Sequence, residues 1–136
     1  MNCDKMETDY SLYLVTDRKD KTEKEFLNII EESIKGGVTL IQLREKTAST
    51  QEFYNIANKV KEITKKYNVP LIINDRIDIA LAIDADGVHV GQDDMPTQIA
   101  RKLIGQNKIL GVSAHTLEEA KKAYADGADY LGVGAI

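Results

Sequence analysis

Residues 38–46, VTLIQLREK, decide the fold class, because a strand pattern ends there in closely spaced polar side chains. The stretch begins with four residues of apolar or β-branched type, which strands favour. Gln42, Arg44 and Lys46 then follow at every second position. Since alternate residues of an extended chain point to one face, the spacing predicts an amide and two cations on the same side of a strand end.

A short apolar run followed by a helix pattern recurs along the whole chain. Strands are predicted at residues 12–15, 38–43, 71–73, 88–90, 109–112 and 130–133. Helix patterns lie between them, and Thr22, Ser49 and Thr116 each precede a glutamate by three residues, the spacing of a capping box. Strict alternation of strands and helices predicts an α/β fold with a parallel sheet and right-handed crossovers.

Two architectures share this alternation, a barrel and an open sheet of flavodoxin-like or Rossmann-like type. The turn after the first strand, residues 16–21, has no glycine and cannot be a dinucleotide fingerprint. The segments ADGVHVG (85–91) and ADGADYLGVG (125–134) both pass from a helix end into a strand that ends in glycine. This similarity indicates weak internal repetition of one strand–helix unit.

The composition is that of one globular domain, with 136 residues, 43% hydrophobic and 29% charged. A net charge of −4 argues against nucleic acid or an anionic membrane as the main partner. No apolar run approaches the length of a membrane span, and a single cysteine suits a reducing cytoplasm. We expect a flexible leader at residues 1–9 and one domain at residues 10–136.

Polar side chains follow the carboxyl end of most predicted strands. They lie at residues 17, 42–46, 74–76, 89–94 and 113–115. In a parallel α/β fold these ends share one rim, which is where barrels build their active sites. The convergence is the strongest indication from the residues themselves that the protein is an enzyme.

Arg44 and Lys46 on one face suit a phosphate, the former by its fork geometry and the latter as a point charge. The alternative is a surface ion pair of Glu45 with one of these two cations. Asn74 and Asp75 likewise have a plainer interpretation, since an Asn–Asp pair at a strand end is commonly a turn or a helix cap.

Asp93 and Asp94, with Asp75 from the neighbouring strand, have the hard oxygen atoms that Mg²⁺ prefers. The alternative is that one of the first two caps the helix that follows Pro96, proline being favoured at a first helical position. The two roles are compatible, one aspartate capping while the other binds the ion.

His89 lies inside a predicted strand, and no second histidine is suitably spaced. We therefore interpret it as a core or rim histidine rather than a metal ligand. Ser113 ends the fifth strand without a plausible His/Asp relay in the sequence, which disfavours nucleophilic catalysis. Ser113 could instead donate a hydrogen bond to a phosphate.

Five motifs occur in order at strand ends: LYLVTD (12–17), QLREK (42–46), NDR (74–76), HVGQDD (89–94) and GVSAHT (111–116). Together they resemble the thiamine phosphate synthase family. The resemblance implies a TIM (β/α)8 barrel that joins hydroxymethylpyrimidine diphosphate to hydroxyethylthiazole phosphate and releases diphosphate. It also implies a dissociative reaction in which the pyrimidine C–O bond breaks before the thiazole nitrogen attacks.

The resemblance also implies roles for seven residues. They are Arg44, Lys46 and Asn74 on the diphosphate, Asp75 and Asp94 on Mg²⁺, Gln42 on the pyrimidine, and Ser113 on the departing diphosphate. The alternating side chains of residues 42–46 would then form one wall of the diphosphate site.

The chain departs from the family in length, since a (β/α)8 barrel needs about 200 residues or more. We expect an incomplete barrel of six parallel strands and five crossover helices, with unpaired edges at the first and sixth strands. Such a fragment should be nearly inactive by itself, and poorly soluble or oligomeric.

Two rival interpretations remain open from the sequence. One is the thiazole tautomerase paralogue, which should lack the full diphosphate and magnesium set that is present here. The other is a non-catalytic half-barrel that a partner chain completes.

Overall fold

Six parallel strands and five α-helices make up the computed structural model of the chain, which describes residues 5–134. The strands are β1 (Tyr13–Val15), β2 (Leu40–Leu43), β3 (Leu71–Asn74), β4 (Gly87–Val90), β5 (Ile109–Ala114) and β6 (Tyr130–Val133). The helices are α1 (Glu23–Lys35), α2 (Thr50–Lys66), α3 (Ile77–Ile83), α4 (Thr97–Ile104) and α5 (Leu117–Ala125). Part of the predicted leader, residues 1–4, lies outside the described residues, and a 3₁₀ turn follows at Lys5–Glu7.

The strands lie side by side in chain order, β1-β2-β3-β4-β5-β6, and every neighbouring pair is parallel. A doubly wound sheet would instead reverse its strand order at a switch point. The order therefore confirms the predicted arc of a (β/α)8 barrel, with six strands and five crossover helices, and excludes the open sheet. Across the arc, the hydroxyl of Tyr13 in β1 contacts the hydroxyl of Tyr130 in β6.

Successive strand residues face opposite sides of the sheet, as the pleat requires. On the outer side, Ile41 and Leu43 are fully buried in the main core beneath the helices. On the inner side, Leu40, Ile72 and Ile109 form a smaller apolar layer beside the tyrosines of β1 and β6. Polar side chains of the inner face lie above this layer, towards the carboxyl ends of the strands.

Helices α1, α2 and α5 begin directly after the three predicted cap residues, but only one of the three forms a reciprocal capping box. In α1 the Glu25 N–H donates to Thr22 Oγ1 at 3.1 Å, and the Thr22 N–H donates back to the Glu25 carboxylate. Ser49 and Thr116 each accept the expected N–H bond at 3.1 Å. The carboxylate of Glu119 accepts instead from the His115 N–H at 2.7 Å.

The internal repetition has a structural basis at the amino ends of the strands. Asp86, just before β4, accepts from the Leu71 N–H at 2.8 Å, and Asp129, just before β6, accepts from the Leu110 N–H at 2.9 Å. Each aspartate thus ties the start of one strand to its predecessor. Among the described helices, none is long and apolar enough to cross a membrane.

Candidate active site at the carboxyl ends of the strands

A cleft of about 520 Å³ opens at the carboxyl ends of the strands. Each of the six strands contributes one inward-facing polar side chain to its lining, and the segment after β2 adds a cation. These residues are Tyr13, Gln42, Arg44, Asn74, His89, Ser113 and Tyr130. Four of the seven residues predicted for the site, Gln42, Arg44, Asn74 and Ser113, therefore share one cavity.

The two amides hold each other at the base of the cleft. Asn74 Nδ2 donates to Gln42 Oε1 at 2.8 Å, and Gln42 Nε2 donates to the Tyr13 hydroxyl at 3.1 Å. Gln42 is only 4% exposed. The interpretation of Asn74 as a helix cap is wrong, because α3 begins after Arg76 without any side-chain cap bond.

Arg44 lines the cleft as a half-buried side chain with no ion-pair partner among residues 5–134. The predicted alternative, a pair between Glu45 and one of the flanking cations, is wrong, because Glu45 pairs with Arg18 at 2.7 Å. The backbone N–H of Arg44 is held by Thr16 Oγ1 at 3.1 Å. A fixed backbone and an uncompensated guanidinium favour an anion in the cleft.

Lys46 lies apart from the other two residues of its motif. Strand β2 ends at Leu43, and Lys46 stands exposed in a bend outside the cleft lining. The expectation that strand alternation continues as far as Lys46 is therefore wrong. A contact between Lys46 and a diphosphate stays a prediction.

Asp75 and Asp94 lie against each other just outside the cleft lining. Burial raises the pKa of the Asp75 carboxyl, and the hydrogen bond and negative charge of Asp94 raise it further. Asp75 also has a left-handed φ of 66°, an unfavourable conformation for a residue with a side chain. Because the negative charge of Asp94 disfavours the ionised form of Asp75, a cation placed at the pair would relieve the repulsion.

The donor set fits Mg²⁺, which proteins often hold with one or two carboxylates plus the phosphates of a substrate. Residues 5–134 contain no group of three or more His, Cys, Asp or Glu that could hold a metal without such help. Asp94 Oδ2 accepts from the Gly91 N–H at 2.6 Å, which fixes its orientation. The capping alternative for Asp93 and Asp94 is wrong, because Pro96 is the cap position of α4 and no side chain bonds there.

Ser113 has a histidine partner that the sequence analysis missed. His89 Nε2 lies 2.7 Å from Ser113 Oγ, and His89 Nδ1 lies 2.9 Å from the Tyr130 hydroxyl. No carboxylate orients the imidazole, so the trio is not a nucleophilic relay. Burial lowers the pKa of His89 to about 4, which leaves the ring neutral at pH 7. His89 is thus an interior histidine, as predicted.

Tyr13 and Tyr130 are the other site residues that sequence reasoning missed. Burial raises the pKa of both phenols, so each remains a neutral hydroxyl. The feature that identifies these tyrosines is their inward-facing position in the strand register. Tyr13 pairs with Leu40 and Tyr130 pairs with Gly111, where a Cβ atom would lie 2.0 Å from the Tyr130 ring.

Comparison with known proteins matches one family over most of the chain. The family model described as Thiamine monophosphate synthase matches residues 12–136. Thiamine-phosphate synthase of Methanobrevibacter smithii is 71% identical over 94% of the chain, and that of Alkaliphilus oremlandii is 66% identical over 94%. The solved thiamine phosphate pyrophosphorylase of Pyrococcus furiosus superposes with a TM-score of 0.83, at 44% identity over 92% of the chain. The chain spans 61% of the length of both relatives and 60% of the solved chain.

Proposed function

The chain belongs to the thiamine monophosphate synthase family, and from this membership we propose the reaction of the protein that carries it. In that reaction hydroxymethylpyrimidine diphosphate and hydroxyethylthiazole phosphate condense to thiamine phosphate, with release of diphosphate. The protein is then a transferase of thiamine biosynthesis.

The observation that carries the proposal is Arg44, a half-buried guanidinium directed to a polar cleft without an acidic partner in residues 5–134. A charge in that position needs an anion, and a diphosphate matches the bidentate geometry of arginine. Asn74 and Ser113 line the same cavity as further donors. Gln42 lies deepest among them and suits the neutral, nitrogen-rich pyrimidine ring.

Mg²⁺ is the cofactor that we propose, with Asp75 and Asp94 as its protein ligands. When bound, it would neutralise negative charge on the diphosphate as that group departs. Two features of the carboxylates favour this ion. Their oxygen atoms are hard ligands, and the negative charge of Asp94 beside Asp75 is one that a cation would offset.

The reaction needs no protein nucleophile. The bond between the pyrimidine methylene carbon and the diphosphate oxygen breaks, the electron pair leaves with the diphosphate, and the thiazole nitrogen donates its lone pair to the methylene carbon. Arg44, Asn74 and Ser113 would stabilise the growing negative charge by donating to phosphate oxygens, an effect that is largest in a site closed to water. His89 faces Ser113 and Tyr130 instead of any reacting atom.

Both proposed substrates are small charged phosphate esters, which do not cross membranes unaided, so we place the reaction in the cytoplasm. Neither nucleic acid nor a membrane enters it. The thiazole tautomerase alternative gives no role to paired carboxylates, and the contact between Asp75 and Asp94 therefore favours the synthase.

The test is a condensation assay on the product of the complete reading frame that carries this chain. Thiamine phosphate should form only when both substrates and Mg²⁺ are present, and Arg44→Ala should lower turnover by about a hundredfold. The control is Lys59→Ala, which removes an exposed cation on the outer helix α2. Wild-type turnover in Arg44→Ala, or thiazole isomerisation without condensation, would overturn the proposal.

A further inference from the structure

A single chain of hydrogen bonds crosses the interior of the sheet and uses one side chain from each strand. Its members, in the order of their contacts, are Asn74, Gln42, Tyr13, Tyr130, His89 and Ser113. Three members of this six-residue relay, Asn74, Gln42 and Ser113, are residues proposed to bind the substrates, and all three line the cleft. The relay therefore connects Ser113 to the two amides through Tyr13, Tyr130 and His89.

The amide end sets the direction in which protons are donated. Because Asn74 Nδ2 donates to Gln42 Oε1, Gln42 presents its own Nε2–H to the Tyr13 oxygen at 3.1 Å. The Tyr13 oxygen thus accepts a hydrogen bond, and its proton is available for the oxygen of Tyr130, which it contacts. In this direction each residue of the relay donates a hydrogen bond to the next one.

Tyr130 passes this direction on to the histidine. With its oxygen accepting from Tyr13, the proton of Tyr130 has the lone pair of His89 Nδ1 as an acceptor 2.9 Å away. His89 is buried, at 7% exposure, and a neutral imidazole carries only one proton. With Nδ1 accepting, that proton sits on Nε2 and is donated to Ser113 Oγ at 2.7 Å.

We propose that Tyr130 is a positioning residue, whose hydroxyl fixes His89 as the Nε2–H tautomer and so directs the Ser113 hydroxyl proton into the cleft. There the proton can be donated to an anionic oxygen beside Arg44. That this oxygen belongs to a diphosphate rests on the proposed function. Tyr130 itself touches no reacting atom; it acts through His89.

The opposite direction of the relay has a distinct chemical consequence. In it the Tyr13 oxygen accepts from both Gln42 and Tyr130, which leaves the Tyr13 proton without an acceptor in the relay. The His89 proton then sits on Nδ1, and Ser113 donates to His89. Ser113 would then present lone pairs to the cleft, which repel an anion. The two directions therefore differ in one observable, the tautomer of His89.

The fold reserves space for the Tyr130 ring. A Cβ atom on Gly111 would lie 2.0 Å from Tyr130 Cζ, and a Cβ atom on Gly132 would lie 3.1 Å from His89 Cε1. Tyr10 and Tyr13 pack against the same ring, with centroids 5.2 and 5.5 Å away. A ring so confined holds its hydroxyl at one place, as a positioning role requires.

The experiment is ¹⁵N NMR of histidine-labelled protein at pH 7, with and without inorganic diphosphate and Mg²⁺. Wild-type His89 should show an unprotonated Nδ1 and a protonated Nε2, and the exposed His115 gives a second, separate signal. Tyr130→Phe should give a mixture of tautomers and weaken diphosphate binding about threefold to tenfold. Tyr13→Phe disconnects Tyr130 from the amides and should also give a mixture of tautomers. Tyr124→Phe, on the exposed face of α5, should change neither measurement.

The outcomes separate the relay from the proposed function. A wild-type Nδ1–H tautomer, or an unchanged tautomer in a folded Tyr130→Phe variant, would overturn the positioning role whatever the affinity. If Tyr130→Phe does not fold, the wild-type tautomer and its loss in Tyr13→Phe decide the direction of the relay. The expected tautomer in a protein that fails to bind diphosphate would support the relay and contradict the proposed function.

Discussion

Two arginines, near opposite ends of the strands, differ in whether the fold provides hydrogen-bond partners for the guanidinium group. Arg101, near the amino ends, is 7% exposed and donates to the carbonyls of Gly105, Lys108 and Gly127 and to the Asp129 carboxylate. Arg44, at the carboxyl ends, has no such side-chain partner in residues 5–134. A buried polar group that has hydrogen-bond partners within the protein stabilises the fold. A polar group without such partners at the carboxyl ends of the strands indicates a ligand.

The largest expected effect is on stability, at the amino end. Arg101→Ala removes the guanidinium donor of three carbonyls and the buried ion-pair partner of Asp129, which keeps only the Leu110 N–H and the Lys5 ammonium. The free energy of unfolding should fall by about 3–5 kcal/mol. Denaturant unfolding measures the change. The neighbouring exposed Lys102→Ala is the control, expected within about 0.5 kcal/mol of wild type. A loss under about 1 kcal/mol for Arg101→Ala would remove the contrast between the two ends.

The second effect is on binding, at the carboxyl end. Arg44→Ala should weaken the affinity for inorganic diphosphate with Mg²⁺ by about 10- to 100-fold, since it removes hydrogen bonds to a charged ligand. The free energy of unfolding should change by less than about 1 kcal/mol. Calorimetric titration gives the first quantity and denaturant unfolding the second. A variant that is strongly destabilised but binds normally would make Arg44 structural, like Arg101.

The carboxylate pair gives a smaller effect that depends on the metal. Asp94→Asn keeps an acceptor for the Gly91 N–H but removes one of the two negative charges. Mg²⁺ at about ten times its dissociation constant should stabilise the wild type by about 1.4 kcal/mol and the variant hardly at all, as seen in thermal unfolding. Asp93→Asn, exposed and adjacent, should respond like the wild type. An equal response of Asp94→Asn and wild type would move the metal site elsewhere.

The smallest effect is expected at Lys46. As an exposed point charge in a bend, it should contribute about twofold to threefold in diphosphate affinity, and less at high salt. Titrations of Lys46→Ala at low and high ionic strength measure it. If the loss equals that of Arg44→Ala, the bend must bring Lys46 to the ligand, and the geometric distinction between the two cations fails.

Much of the fold could be predicted because its signals are local. The strand Tyr130–Val133 has the predicted bounds, and Thr22 caps α1 as its spacing indicated. The predicted end of an element was wrong where pairing with a neighbouring strand sets that end. Strand β5 continues to Ala114 because Ser113 and Ala114 pair with Gly132 and Val133 of β6.

The site was predictable in composition but not in its pairings. Sequence order places Gln42, Asn74 and Ser113 at strand ends, and parallel strands bring such ends together. The bond between His89 and Ser113 depends on the β4–β5 register, in which His89 lies beside Gly111. Nor does any local pattern indicate that Glu45 turns to Arg18 and so leaves Arg44 available. Such pairings belong to the assembled sheet.

The most direct test of the contrast between the two ends is to map diphosphate binding by backbone amide NMR. Inorganic diphosphate with Mg²⁺ would be titrated into ¹⁵N-labelled protein while amide chemical shifts are followed. We expect saturable shifts at Arg44, Asp75 and Ser113, with Arg101 and Asp129 unmoved. Shifts centred on the amino ends of the strands, or no saturable shifts at all, would contradict it.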